Sequence, residues 1–194
     1  MMKRKLFALF TALTLCAALL AGCGGSSSAG TASSAPASEA ASEAASGAAE
    51  ARTGAENGAP DLYAAVSALL EVNPISNQFE IAAMNIEYDF MLAAEDVVSY
   101  KGVKSNDNGD AGLVLVIQPA EGRAEAICEA LDTYKQDQVA FYGNYAEFGQ
   151  AQANVQNAII SGSDSLVVML IASNECTSDA AALSAAVDDV MNAQ

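Results

Sequence analysis

Histidine and tryptophan are missing altogether from the 194 residues, and only eight Lys or Arg side chains stand against 24 Asp and Glu. Without His, a Ser-His-Asp or Cys-His catalytic group is excluded, and so is a zinc or haem held by imidazole. The formal charge of −16 sets the chain against nucleic-acid phosphates and anionic headgroups, so no nucleic-acid partner is expected. The four cysteines form no Cys-x-x-Cys pair, which leaves no thioredoxin-like or zinc-cluster pattern. No metal, no cofactor and no enzymatic activity are therefore expected.

What is present divides into three parts. Lys3, Arg4 and Lys5 form a short positive segment, and residues 6–19 are a continuous run of Leu, Phe, Ala, Thr and Cys. That run has the length of a signal-peptide core and falls short of the roughly 20 apolar residues a spanning helix needs. It leads into Leu20-Ala21-Gly22-Cys23, which resembles the lipobox of bacterial lipoproteins. The resemblance implies a diacylglyceryl group on the Cys23 thiol and cleavage before it, so that residues 1–22 are removed. One acyl chain holds a protein only reversibly, whereas two or more make attachment effectively permanent. The expected location is the extracytoplasmic face of the cell membrane, and the expected membrane partner is the lipid itself. Loss of the leader leaves five basic residues against 24 acidic ones, so the protein surface adds little electrostatic adhesion.

Residues 23–59 read as a disordered linker. From Gly24 onward the segment has 13 Ala, 8 Ser and 6 Gly in 36 positions and no apolar side chain larger than Ala. It cannot bury enough surface to offset chain entropy. A flexible chain of that length spans about 33 Å root-mean-square, enough to hold a domain clear of the headgroups.

Residues 60–194 carry large apolar side chains in periodic blocks and suit one domain. Leu62, Val66, Leu69 and Leu70 share one face of a helix over 61–72, closed by Asn73-Pro74. Residues 78–91 fit either a helix or a strand and are read as a helix, and 97–104 as a strand. The unbroken run Leu113-Val114-Leu115-Val116-Ile117 predicts a strand covered on both faces. Asn108-Gly109 between them suits a hairpin turn. Pro119 and Glu121 suggest the start of a long helix to about Phe141, with Ile127, Leu131, Tyr134 and Gln138 inward. Strands are expected over 155–161 and 166–171, and a closing helix over 178–192. The order predicts an α+β domain, a small antiparallel sheet of about four strands packed with three or four helices.

Several segments invite a functional reading. Residues 106–112 are acidic, but neither register fits the calcium loop, which asks for Gly at the sixth position and Glu at the twelfth. A solvated turn and a weak cation site both remain open. Cys128 and Cys176, the only domain cysteines, are a candidate disulfide or two buried thiols. Residues 161–165, Ser-Gly-Ser-Asp-Ser, lack the Gly-x-Ser-x-Gly pattern and any His to serve them. Asp137 and Glu147 could form a carboxylate pair of the kind glycosidases use, though acids are so abundant that any pair could be proposed. Tyr134, Phe141, Tyr142, Tyr145 and Phe148 fall within fifteen residues. Tyr142, Tyr145 and Phe148 are the candidate ligand-binding side chains, with a plug sealing the helix against the sheet as the alternative.

The chain resembles a family of small bacterial lipoproteins known as the domain of unknown function 4358. The resemblance runs over about residues 62–187. It is carried by Glu125 to Gln138, by Phe141-Tyr142-Gly143-Asn144-Tyr145, and by the strand–turn–strand of 155–171. Gln118 departs from it, since family members tend to carry Lys there. The resemblance implies a Gram-positive envelope and brings no established activity. The expected function is a membrane-anchored, non-enzymatic binding or interaction module engaging an envelope protein or ligand. An alternative is an extracytoplasmic small-ligand or cation binder accessory to a transporter.

Overall fold

The structure is a computed structural model that describes residues 59–193. The leader, Cys23 and the linker lie outside the described residues. Five strands form one sheet in the order β1-β2-β3-β5-β4, and every neighbouring pair is antiparallel. They are β1 (Gln78–Glu80), β2 (Val97–Ser105), β3 (Leu113–Pro119), β4 (Ile159–Gly162) and β5 (Val167–Ile171). The helices are α1 (Leu62–Val72), α2 (Ala124–Gly143), α3 (Gly149–Gln156) and α4 (Ala180–Asn192). The α+β expectation holds, with five strands in place of about four.

The sheet is covered on both faces because alternate residues of its two central strands are apolar in both directions. Val114, Val116, Val168 and Leu170 point toward α1 and α4, where they meet Val66, Leu69, Leu183 and Val187. Leu113, Leu115, Ile117, Val167, Met169 and Ile171 face α2 and α3, against Ile127, Leu131 and Val155. Asp61 caps α1 by accepting the Ala64 N–H at 3.0 Å, and Asp179 caps α4 by accepting that of Ala182 at 2.8 Å.

Three expectations need correction. Residues 78–91 are not one helix. They form the edge strand β1 and then a wide helical turn (Asn85–Asp89); Ile86 within it and Phe90 just after it plug the α2 face. Residues 78–80 are exposed on both sides, so no alternation betrays the strand. Pro119 ends β3 rather than starting α2, and Gly122, at φ +70°, turns the chain before Ala124. Residues 155–156 close the unexpected helix α3, and β4 begins only at Ile159. Among the described residues no helix is long and apolar enough to cross a membrane.

Candidate functional site

The turn joining β2 to β3 and the aromatic cluster after α2, remote in sequence, meet in one place. Ser105 N–H donates to the Gly112 carbonyl at 2.8 Å, closing a hairpin loop of residues 106–111. Gly109 takes φ +78°, and a Cβ there would lie 2.7 Å from the Phe148 ring. Phe148 therefore rests directly on the loop backbone. The Tyr142 hydroxyl donates to the Asp110 carbonyl at 3.3 Å from the other side. Burial, and then the Asp110 charge, push the Tyr142 phenol above its ordinary value, so it stays a neutral donor.

The loop is fixed by side chains from distant segments. Asp110 is buried, and its Oδ1 accepts the Gly112 and Asn174 N–H groups, both at 3.0 Å. Asn174 Nδ2 donates to the Gly109 carbonyl at 3.0 Å, and Asn77 Nδ2 donates to Asp107 at 2.8 Å. Asp110→Ala would leave two backbone donors without their acceptor. We expect it to lower stability by about 2 kcal/mol, and Asp110→Asn, which keeps an acceptor oxygen, by less. Urea unfolding midpoints of the two variants check this.

Between loop and cluster lies a groove of about 550 Å3. Residues 104–113 form one wall, with Tyr134, Gln138, Phe141, Tyr142 and Phe148 opposite, and Asp89 also borders it. Lys104 and Asp89 pair across 2.9 Å. Burial works against the Asp89 charge, but the hydrogen bonds from Lys104 and Asn85 outweigh it and hold the carboxyl below its ordinary value. The rings interlock: Phe141 with Tyr142 at 5.1 Å and Tyr142 with Phe148 at 5.9 Å edge to face, and Tyr145 tilted against both Phe141 and Phe148 at 5.6 and 5.4 Å. Such tilted pairs hold a cluster in shape without a cofacial stack.

Two of the three candidate residues, Tyr142 and Phe148, thus line the groove. Tyr145 does not; it buttresses the rings from the rim. The acidic turn and the aromatic segment, separate candidates in the sequence, belong to a single site. Neither spacing nor composition marks Asn77, Asn174, Asp89 or Lys104 as part of this site, because their roles here arise only from contacts with other segments. Asp137 and Glu147 are exposed, and neither lines the groove. Among the described residues no group of three or more His, Cys, Asp or Glu is arranged to hold a metal ion.

The candidate disulfide is corrected. Cys128 and Cys176 are free thiols, and they pack on opposite faces of the sheet. Cys128 belongs with the α2 and α3 side, Cys176 with the α1 and α4 side. A bridge requires Cα atoms within about 7 Å, and the sheet stands between them. Burial, and then Glu125, raise the Cys128 thiol, the opposite of what a nucleophilic thiolate requires.

A second hollow, about 690 Å3, runs between α1 and α4. Its lining is largely Ala with Asp61, Glu71 and Asp189, and it offers neither an aromatic ring nor a side-chain amide. The groove beside Tyr142 has both, together with an ion pair, and is the better candidate.

An antiparallel sheet sandwiched by two helix pairs, with a groove at the end of its central hairpin, defines the class of domain. The chain belongs to the family described as domain of unknown function DUF4358, whose model matches residues 73–172. The match runs from the end of α1 to just past β5, so it includes all five strands and the groove. Comparison with curated proteins finds no match, and comparison with solved structures finds none either.

Proposed function

We propose that this protein is a lipid-anchored, extracytoplasmic binding module without catalytic activity, and that the groove between the 106–112 loop and the Tyr142 cluster is its recognition site. The observation that carries the reading is the convergence of those two segments on one groove of about 550 Å3, within the usual size range for small-molecule sites. The groove is built for recognition. Its loop wall is fixed by the Asn174, Asn77 and Asp110 hydrogen bonds, and Phe141, half-exposed, offers a ring face at its edge. Leu20-Ala21-Gly22-Cys23 supports the anchor, and the absence of His from the sequence supports a non-catalytic role.

The test is a thermal-shift screen of a leaderless Cys23→Ser form, residues 23–194, which carries neither the apolar leader nor the acylated thiol. The panel contains cell-wall fragments, sugars, calcium and EDTA. A ligand at 100 times its dissociation constant adds about 2.7 kcal/mol, several degrees for a domain of this size. A reproducible rise with one class of compound is the expected result. Turnover of a glycan, peptide or ester by the same preparation would overturn the reading.

A further inference from the structure

The turn that replaces the expected helix over 78–91 has an unusual surface. Its inner side chains, Ile86, Phe90 and Leu92, are buried in the α2-side core. Its outer ones are large, apolar and exposed: Met84 is 69% exposed, Tyr88 67% and Met91 76%. Met84 and Tyr88 are four residues apart on a helical turn and so share a face. Met91 follows the turn at φ +55°, the left-handed region that favours glycine. The reason lies in the way the turn ends. The Leu92 N–H donates back to the Ile86 carbonyl at 3.0 Å, a closure over seven residues, one wider than the six-to-one bond that ends an α-helix, and as in that motif the residue before the donor is left-handed. Glycine normally occupies that position. Here a methionine does, and its side chain makes no compensating burial within the described residues.

The turn is also held rigid. Asn85 Oδ1 accepts the Ala82 N–H at 2.9 Å, and Asn85 Nδ2 donates to Asp89, whose carboxylate is paired with Lys104. An apolar side chain kept in a strained backbone position, on a braced platform and out of the core, fits selection for contact with something else.

The charge around the turn identifies the partner's chemistry. Lys101 pairs with Glu80, Lys104 with Asp89 and Arg123 with Asp96. These pairs engage three of the four basic side chains between residues 59 and 193. Glu87 and Glu95, both exposed, are in none of the salt bridges among the described residues. A second copy of the chain would bring its own excess of acids and be repelled, as would an anionic bilayer. We infer that Met84, Tyr88 and Met91 form a docking surface for a polypeptide segment that interleaves apolar side chains with Lys or Arg. The apolar groups would cover the Met–Tyr–Met face, and the cations would meet Glu87 and Glu95. This surface is separate from the ligand groove, though Asp89 borders both.

The inference is tested with a short synthetic peptide alternating Leu and Lys, by fluorescence anisotropy against the Cys23→Ser protein. An alternating Leu and Glu peptide and neutral phosphatidylcholine vesicles serve as comparisons. The Leu–Lys peptide should bind, and Tyr88→Ser with Met91→Gly should weaken it about tenfold or more. The Met91→Gly change alone should raise the melting temperature by about 3 °C, because glycine relieves the left-handed strain. That rise separates lost contact from lost folding. Phe141→Ala, in the groove, should leave peptide binding unchanged, so failure here is distinct from failure of the groove. Equal binding by wild type and the double variant would reduce the effect to diffuse charge and overturn the inference. So would no binding of the Leu–Lys peptide, or dependence on Tyr88 and Met91 with vesicles alone.

Discussion

Asn73→Ala is expected to lower the domain's stability by about 3 kcal/mol, the loss of two buried hydrogen bonds with their partners left behind. Asn73 ends α1 and is fully buried. Its Nδ2 donates to the Ile171 carbonyl at 2.9 Å, and its Oδ1 accepts the Ser173 N–H at 2.8 Å. The same amide thereby fastens the first helix to the end of the central strand β5, about a hundred residues away in sequence. Ser173 completes the knot by donating its hydroxyl to the Pro74 carbonyl at 2.6 Å. Alanine removes both side-chain partners from a buried site, so the Ile171 carbonyl and Ser173 N–H are left orphaned. The melting temperature should fall by about 10 °C, and the urea midpoint should fall with an unchanged slope. Ser76→Ala, at an exposed contact with Glu175, should fall by far less. A drop for Asn73→Ala no larger than for Ser76→Ala would contradict the role assigned here.

Gly102→Ala is expected to be comparably damaging for a different reason. Gly102 lies in the middle of β2, opposite Leu115. A Cβ on it would lie 2.6 Å from the Val114 carbonyl oxygen and 3.1 Å from the Leu115 Cα. Those are backbone atoms of two residues with no exposed surface, in a strand pinned on its far side by β5. They cannot swing aside as the tip of a side chain would. The methyl group must push β2 away from β3, at a cost of about 3 kcal/mol. β1 pairs only with β2, so it should loosen as well. Hydrogen exchange should then show lost protection in β1 and β2 while β4 and β5 amides hold theirs. Uniform loss across the sheet, or none, would argue against this close approach.

The sequence disclosed the parts of the fold whose cause is local or periodic. Runs of five and six aliphatic residues named β3 and β5 as strands covered on both faces, because no other environment absorbs such a run. Asp61, directly before the first apolar residue of α1, is a residue type suited to the cap it makes there. What could not be read depends on contacts across the chain. β1 is short, exposed and held only by pairing with β2. The 85–89 turn stands where its apolar spacing allows a longer helix, and Phe90 packing on Tyr134 at 4.7 Å decides against one. α3 is poor in large apolar residues and buries only Ala151 and Val155.

The site follows the same division. Tyr142 and Phe148 could be nominated from composition, and the 106–112 turn from its Asn-Gly step. That the two meet depends on Gly109 leaving room for the Phe148 ring and on Asn174 reaching back 65 residues to the loop. No spacing rule encodes that. The two cysteines carry the converse lesson: two lone thiols in a chain read as extracytoplasmic suggest a bridge, and only the sheet between them rules it out.

The central claim is that the groove beside Tyr142 is a recognition site. Its most direct test is two-dimensional amide NMR of the Cys23→Ser protein titrated with the compound classes of the screen, for wild type and for Phe141→Ala. Phe141 is half-exposed and lines the groove, so its loss should leave the fold intact. The account predicts saturable shifts confined to residues 106–112 and 138–148, abolished or weakened about tenfold in the variant. Saturable shifts elsewhere, shifts indifferent to Phe141, or no shifts with any compound would contradict it.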